Sequence, residues 1–204
     1  MMKSEQQRMW QLGGTILSCE IPQGFTSQDY ALRQLLFLHI KANELHEHQM
    51  ELKKQYYDDK YINFALVMGE NGDWKNAESL EIEVMDMRKK LLGEEHPDTL
   101  TAMENLANTY FNQGRWNEAE QLEVQVMNMT KKLLGEEHPD TLTAMGNLGL
   151  TYRSQGRWNE AEQLEVQVMG MRKKLLGEKH PDTLLSMGNL ALTYRDQGRW
   201  NEAE

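Results

Sequence analysis

The sequence predicts an all-α fold, an α-solenoid of stacked helical hairpins preceded by a helical spacer, and three observations predict it. The first is an internal period: LLGEEHPDTLTAM begins at residue 91, recurs at 133 and returns at 175 as LLGEKHPDTLLSM, 42 residues apart each time. The second is a companion segment, QGRWNEAE, at 113, 155 and 197, with a fainter copy, NGDWKNAE, at 71. The third is helical apolar spacing inside each period. Self-similarity at a fixed period of about 20–50 residues marks a repeat architecture, in which each unit buries its apolar face only against its neighbours.

Residues 1–53 carry no repeat. A turn at Pro22 and Gly24 precedes SQDYALRQLLFLHIKANELHEHQMELKK, which predicts a helix from about Asp29, so this part reads as a helical spacer or cap. The array follows over 54–204, with units at about 54–92, 96–134, 138–176 and a truncated 180–204. Leu100, Met103, Leu106, Ala107 and Tyr110 lie on one face at 100° per residue and define a first helix. Trp116, Ala119, Leu122, Val126, Met129 and Leu133 define a second. Gly114 separates them as a left-handed C-cap, and Gly93, Gly135 and Gly177 end the long helix, where lysines favour its negative pole. Pro97 then fits N1 of the next helix, with Asp98 beside it or itself the N-cap. The recurrent Trp74, Trp116, Trp158 and Trp200 are expected to close the hairpins as core, with Met103, Met127 and Met129 as filler.

Composition narrows the function. The net charge is −10 and the pI near 5.1, which argues against nucleic acid or an anionic membrane as partner. No run of 18 apolar residues and no signal-peptide core occurs, and the single cysteine, Cys19, fits a reducing, cytoplasmic setting.

The cluster of Glu94, His96 and Asp98 suggests metal ligands, but His96, His138 and His180 fall one per hairpin and cannot share an ion. HPD is also a signature of J-domain co-chaperones, which carry it once between two long helices rather than in every unit. His39, His46 and His48 give no ligand set beyond an i, i+2 pair. No GxSxG elbow, no phosphate loop and no basic partner for Cys19 is present, so no enzyme, metal or cofactor is expected.

The run NLANTYFNQGRWNEAE resembles the tetratricopeptide repeat, with Leu106, Ala107, Tyr110, Gly114 and Ala119 at its helix-packing positions. The long period and the LGEEHPDTL linker are similar to the kinesin-light-chain variety, and the wording resembles the C-terminal arrays of fungal NB-ARC signal-transduction NTPases. The resemblance implies a right-handed solenoid whose first helices line a concave, partner-binding groove. One departure is Glu81, Glu123 and Glu165, which stand where the family has a large apolar residue; Leu122 and Val126 are expected to supply that core instead.

Differences among the units point to a surface. Across 99–113, 141–155 and 183–197 seven positions vary, and 101, 104, 108, 111 and 112 share an arc of about 100° away from the core stripe. The second helices, 117–134 against 159–176, differ only at Asn128/Gly170 and Thr130/Arg172. The candidate groove residues are therefore Thr101, Glu104, Asn108, Phe111 and Asn112, then Leu150, Arg153 and Ser154, then Leu192, Arg195 and Asp196. Beside them runs an unvarying row, Asn63, Asn105, Asn147 and Asn189. Asparagine costs a helix interior roughly 0.6 kcal/mol against alanine. The row therefore serves either a bound peptide backbone or a bond that locks neighbouring helices. With Arg153 and Arg195 replacing Phe111, the C-terminal part is expected to prefer acidic residues and the middle part apolar ones.

The expected function is an interaction module that binds a partner protein or peptide segment. The alternative is the ligand-sensing part of an NB-ARC-type NTPase, with 1–53 as its spacer. The chain ends one turn into the last second helix, so the first helix 183–197 is expected to expose Leu184, Met187 and Tyr194, and the last hairpin to fray or to self-associate there.

Overall fold

The computed structural model describes residues 58–203; the expected spacer over 1–53 lies outside them. Among the described residues eight helices follow one another: α1 (Asp58–Glu70), α2 (Trp74–Leu92), α3 (Pro97–Asn112), α4 (Trp116–Leu134), α5 (Pro139–Ser154), α6 (Trp158–Leu176), α7 (Pro181–Asp196) and α8 (Trp200–Ala203). They alternate between 16-residue first helices and 19-residue second helices from α2 to α7. The chain divides into two compact units between Ala102 and Met103, inside α3.

In the first unit α1 and α2 close a hairpin over Tyr61, Phe64, Val67, Met68, Leu80 and Val84, all nearly inaccessible. The turn passes through Gly72 at φ 77°, a left-handed conformation that glycine adopts without strain. Trp74 then packs against Gly69, where an added Cβ would sit 3.0 Å from the indole.

The corner between hairpins is built from the HPDT segment, and one of its parts, the cap, is not the one expected. Gly93, Gly135 and Gly177 end the second helices at φ 91–93° and ψ 163–167°, a region open essentially to glycine alone. Proline occupies N1, as expected. The N-cap, however, is the histidine: Nδ1 of His96, His138 and His180 each accepts the backbone N–H two residues on, at 3.2 Å. The aspartate instead sits in the first turn, where its charge suits the helix dipole. Thr99 and Thr141 complete the corner by donating their buried hydroxyls to the carbonyls of Gly93 and Gly135 at 2.8 Å.

In the second unit α4, α5, α6 and α7 pack in sequence, with Leu142, Met145 and Val168 buried between them. The buried stripe of α4 is Ala119, Glu123, Val126 and Thr130, which corrects the expectation in two ways. Leu122 and Met129 lie only at its margin, half-buried, and Glu123 is itself inside at 6% exposure, as is Glu165 at 3% on α6. The tryptophans are also not core: Trp116, Trp158 and Trp200 are 38%, 40% and 63% exposed. A helix that packs against first helices on both sides needs small side chains at closest approach, so alanine takes the centre and the indole is displaced to the rim.

Polar contacts tie hairpin to hairpin. The Arg157 guanidinium lies 4.0 Å over the Tyr152 ring and reaches Glu120 Oε1 of the preceding hairpin at 2.8 Å. Gln155 donates to Glu120 Oε2 at 2.8 Å. One period later Arg199 stacks on Tyr194 at 4.4 Å, and it pairs with Glu162 at 2.6 Å. Burial alone would raise the Glu120 carboxyl, but the bonds from Arg157 and Gln155 outweigh it and hold the group below its ordinary value.

At the C-terminal end Leu184 is 53% exposed, whereas its equivalent Leu142 is 2%. Met187 and Tyr194 are half-buried, contrary to expectation, the latter beneath Arg199.

Candidate functional site

Among the described residues no group of three His, Cys, Asp or Glu side chains could hold a metal ion, and the histidines of the corner are spent on capping. No helix among them is long and apolar enough to cross a membrane. What the second unit does contain is a small cleft that recurs one period later.

The first cleft lies between α3 and α5, with α4 as its floor. Its lining is Glu104, Ala107 and Asn108 from α3, Glu123 and Val126 from α4, and Ala144 and Asn147 from α5. It encloses about 210 Å³ including its mouth, and its depth has room for one water-sized group. The second cleft, about 220 Å³, is formed one period later by Gly146, Glu165, Val168, Arg172, Ser186 and Asn189. Three features thus recur: a buried glutamate at the floor, a valine beside it, and an asparagine at the rim.

The floor glutamates are poorly satisfied. Oε2 of Glu123 and both oxygens of Glu165 are buried with no hydrogen-bond partner. Burial pushes the Glu123 carboxyl up to about 7; the neighbouring Thr151 hydroxyl pulls the other way and Glu120 adds to the rise. Glu165 is raised too, chiefly by burial, against the opposing influence of Thr193 and Arg153. At the rim Glu104 is raised by burial and then by Asp140.

Of the residues expected to form a groove, Glu104, Asn108 and Asn147 meet in the first cleft, and Asn189 lines the second. Asn105, Asn147 and Asn189 are half-buried, and among the described residues their amides have no hydrogen-bond partner. Asn63, in the first unit, is engaged in an interaction of its own, and Thr101, also there, donates to the Pro97 carbonyl at 3.1 Å. Asn112 is exposed, and Phe111, Leu150 and Leu192 are half-buried; they line neither cleft. Ser154 donates to the Leu150 carbonyl at 3.0 Å.

The cationic patch is not free. Arg153 Nε lies 3.7 Å from Asp196 Oδ2, and Arg195 donates to Asp196 Oδ1 at 3.2 Å. One carboxylate therefore faces both arginines and leaves one positive charge in excess at this patch. Arg153 Nη1 is buried without a partner, beside the equally unpaired Glu165.

Sequence reasoning missed Glu123, Glu165 and Arg172 as site residues. A signal existed for the last: Thr130/Arg172 is one of only two varying positions in the second helices. Thr130 bonds its own Val126 carbonyl at 3.0 Å, whereas Arg172 reaches across to Ser186 at 3.0 Å and to the Asp182 carbonyl at 3.3 Å.

The tetratricopeptide repeat family model matches residues 60–98, 99–140, 141–182 and 183–204. Among solved structures the chain is similar to a putative kinesin light chain with nearly identical TPR-like repeats from Podosopora anserina. The two are 27% identical over 85% of this chain and 87% of that one, with a TM-score of 0.68, and 0.69 against a point variant of the same protein. The chain is also similar in fold to BtubC (BKLC) from P. vanneervenii, at 19% identity over 98% of this chain and 82% of that one, with a TM-score of 0.68. No curated protein sequence matches.

Proposed function

The chain belongs to the tetratricopeptide repeat family, and from that premise we propose that it is a non-enzymatic interaction module that takes an extended segment of a partner protein along the first-helix face of its hairpins. The observation that carries this reading is the unpartnered row of amides at Asn105, Asn147 and Asn189. A lock between neighbouring helices would consume those amides, and no such bond occurs among the described residues. An amide offers a donor pair and an acceptor, the complement of an extended peptide backbone. The variable positions flank the row, so that in this reading the row holds the backbone and Glu104, Asn108, Leu150 and Leu192 meet side chains.

The test places a photo-crosslinking residue at Asn108 or Leu150, with Gln125 and Gln167 on the exposed side of the second helices as controls. Crosslinks are expected at the first pair and absent at the second. The captured segment, made as a peptide, is then titrated calorimetrically into the wild type and into Asn105→Ala plus Asn147→Ala. Loss of two amides, at about 1 kcal/mol net per bond, weakens binding roughly 30-fold or more. Equal affinity in a variant that keeps its helical spectrum and melting temperature would sink the asparagine row, and crosslinks confined to Gln125 and Gln167 would sink the groove.

A further inference from the structure

We propose that the first cleft is a receptor for a lysine ammonium of the bound segment, with Glu123 as its anionic floor and Glu104, Asn108 and Asn147 as its rim. The inference rests on the groove reading and adds to it the chemistry of one side chain.

The floor supplies the first argument. Glu123 is 6% exposed, lines the cleft, and keeps Oε2 without a partner. A buried unsatisfied oxygen carries its desolvation cost, so a donor that reaches it relieves that cost. An apolar group would leave it unpaired. An anion would meet two carboxyls and, among the lining residues, no cation.

Size and valence give the second. The depth holds one water-sized group, which suits a compact ammonium with three donors; the planar guanidinium is too broad for it. Acceptors of matching number line it: Glu123 at the floor, Asn147 from α5, and Glu104 or Asn108 from α3. Among the described residues no group of three His, Cys, Asp or Glu side chains gathers to hold a metal ion. In the free protein, burial disfavours the charged form of Glu123, and an ammonium beside it restores that form.

The second cleft acts as an internal control. Gly146 stands where Glu104 would, and the Arg172 guanidinium lines the site, bound to Ser186 Oγ at 3.0 Å. One carboxyl is lost and one cation gained, so an ammonium is excluded there. Glu104/Gly146 and Thr130/Arg172, two positions at which the units differ, thus set which cleft takes the lysine.

The experiment uses the full chain and records side-chain amide NMR signals of Asn108, Asn147 and Asn189. The probe is Nα-acetyl-lysine N-methylamide, with its norleucine and arginine counterparts and with potassium chloride at matched ionic strength. Saturable shifts at Asn108 and Asn147 but not Asn189, with the lysine probe alone, are expected. Glu123→Gln should weaken them about tenfold, as befits loss of a charge-assisted bond, and Glu104→Gln should weaken them less. An equal response to potassium would assign the cleft to a free monovalent ion, an equal response to arginine or norleucine would remove the selectivity, and an unchanged Glu123→Gln protein would remove the floor; each overturns the proposal. If Glu123→Gln fails to fold, Glu104→Gln at the half-buried rim and Asn147→Ala keep the test open, and persistence of the full response in both overturns it. Because no partner is needed, failure here leaves partner crosslinking at Asn108 and Leu150 intact, and failure of the crosslinking leaves this result standing.

Discussion

Glu123→Gln should stabilise the free protein, and only above mildly acidic pH. Glu123 is buried at 6% exposure with Oε2 unpaired, and burial lifts its carboxyl from an ordinary 4.5 to about 7. The unfolded chain titrates near the ordinary value, so between 4.5 and about 7 the folded protein holds a proton the unfolded one has released. Stability therefore falls as pH rises through that window, and it is level below and above it. At 1.36 kcal/mol per pH unit the whole fall attributable to this group is roughly 3 kcal/mol. Glutamine keeps the shape and cannot ionise. The difference in unfolding free energy between Glu123→Gln and wild type, from urea titrations followed by circular dichroism, should be small at pH 4.5 and approach ~3 kcal/mol in favour of the variant at pH 8. Glu165, raised in the same direction, steepens the pH dependence of both proteins alike and cancels in the difference. A carboxyl carbon NMR titration of Glu123 gives an independent midpoint, expected near 7. A stability difference that is flat with pH, or that favours wild type at pH 8, would refute the assignment of an uncompensated buried carboxyl.

Three further outcomes follow from the corner and the polar ladder. His138→Ala should lower stability by about 1 kcal/mol in chemical denaturation, with His138→Asp recovering most of it and zinc changing neither, because the imidazole caps α5 rather than ligating. Gly135→Ala should cost roughly 1–3 kcal/mol although nothing lies within 4 Å of the added Cβ, since the penalty comes from φ 93° alone; a neutral result by the same assay would remove the strain argument. Arg157→Met should cost about 1–2 kcal/mol through loss of the Tyr152 stack and the Glu120 pair, with the ion-pair part shrinking in 1 M salt while the stacking part persists.

Much of the fold is legible in the sequence because it is written twice, once in chemistry and once in recurrence. Gly93 and Gly114 break helices for reasons internal to their own backbones, and the 42-residue period repeats each break until it cannot be read as accident. The candidate site was legible only in outline. Glu104, Asn108 and Asn147 stand out in the sequence because they vary or persist in register, whereas Glu123 shows there only as a departure from an apolar pattern. The tryptophans erred in the opposite sense, since a large aromatic at a fixed register resembles core whether it sits inside or caps a rim.

The sequence by itself determined the period, the hairpin, its breakers, and the face on which the units differ, all of which depend on local backbone geometry and residue spacing. Only the tertiary structure decided that the buried stripe of α4 runs through Glu123 and Thr130, that Asp196 lies beside Arg153, and that Arg157 reaches back to Glu120. The two ion pairs join side chains a whole hairpin apart in the chain, and the buried stripe is set by how the neighbouring first helices approach α4. Helical periodicity places a side chain on a face of its own helix, and it carries no information about which neighbour that side chain meets across a packed interface.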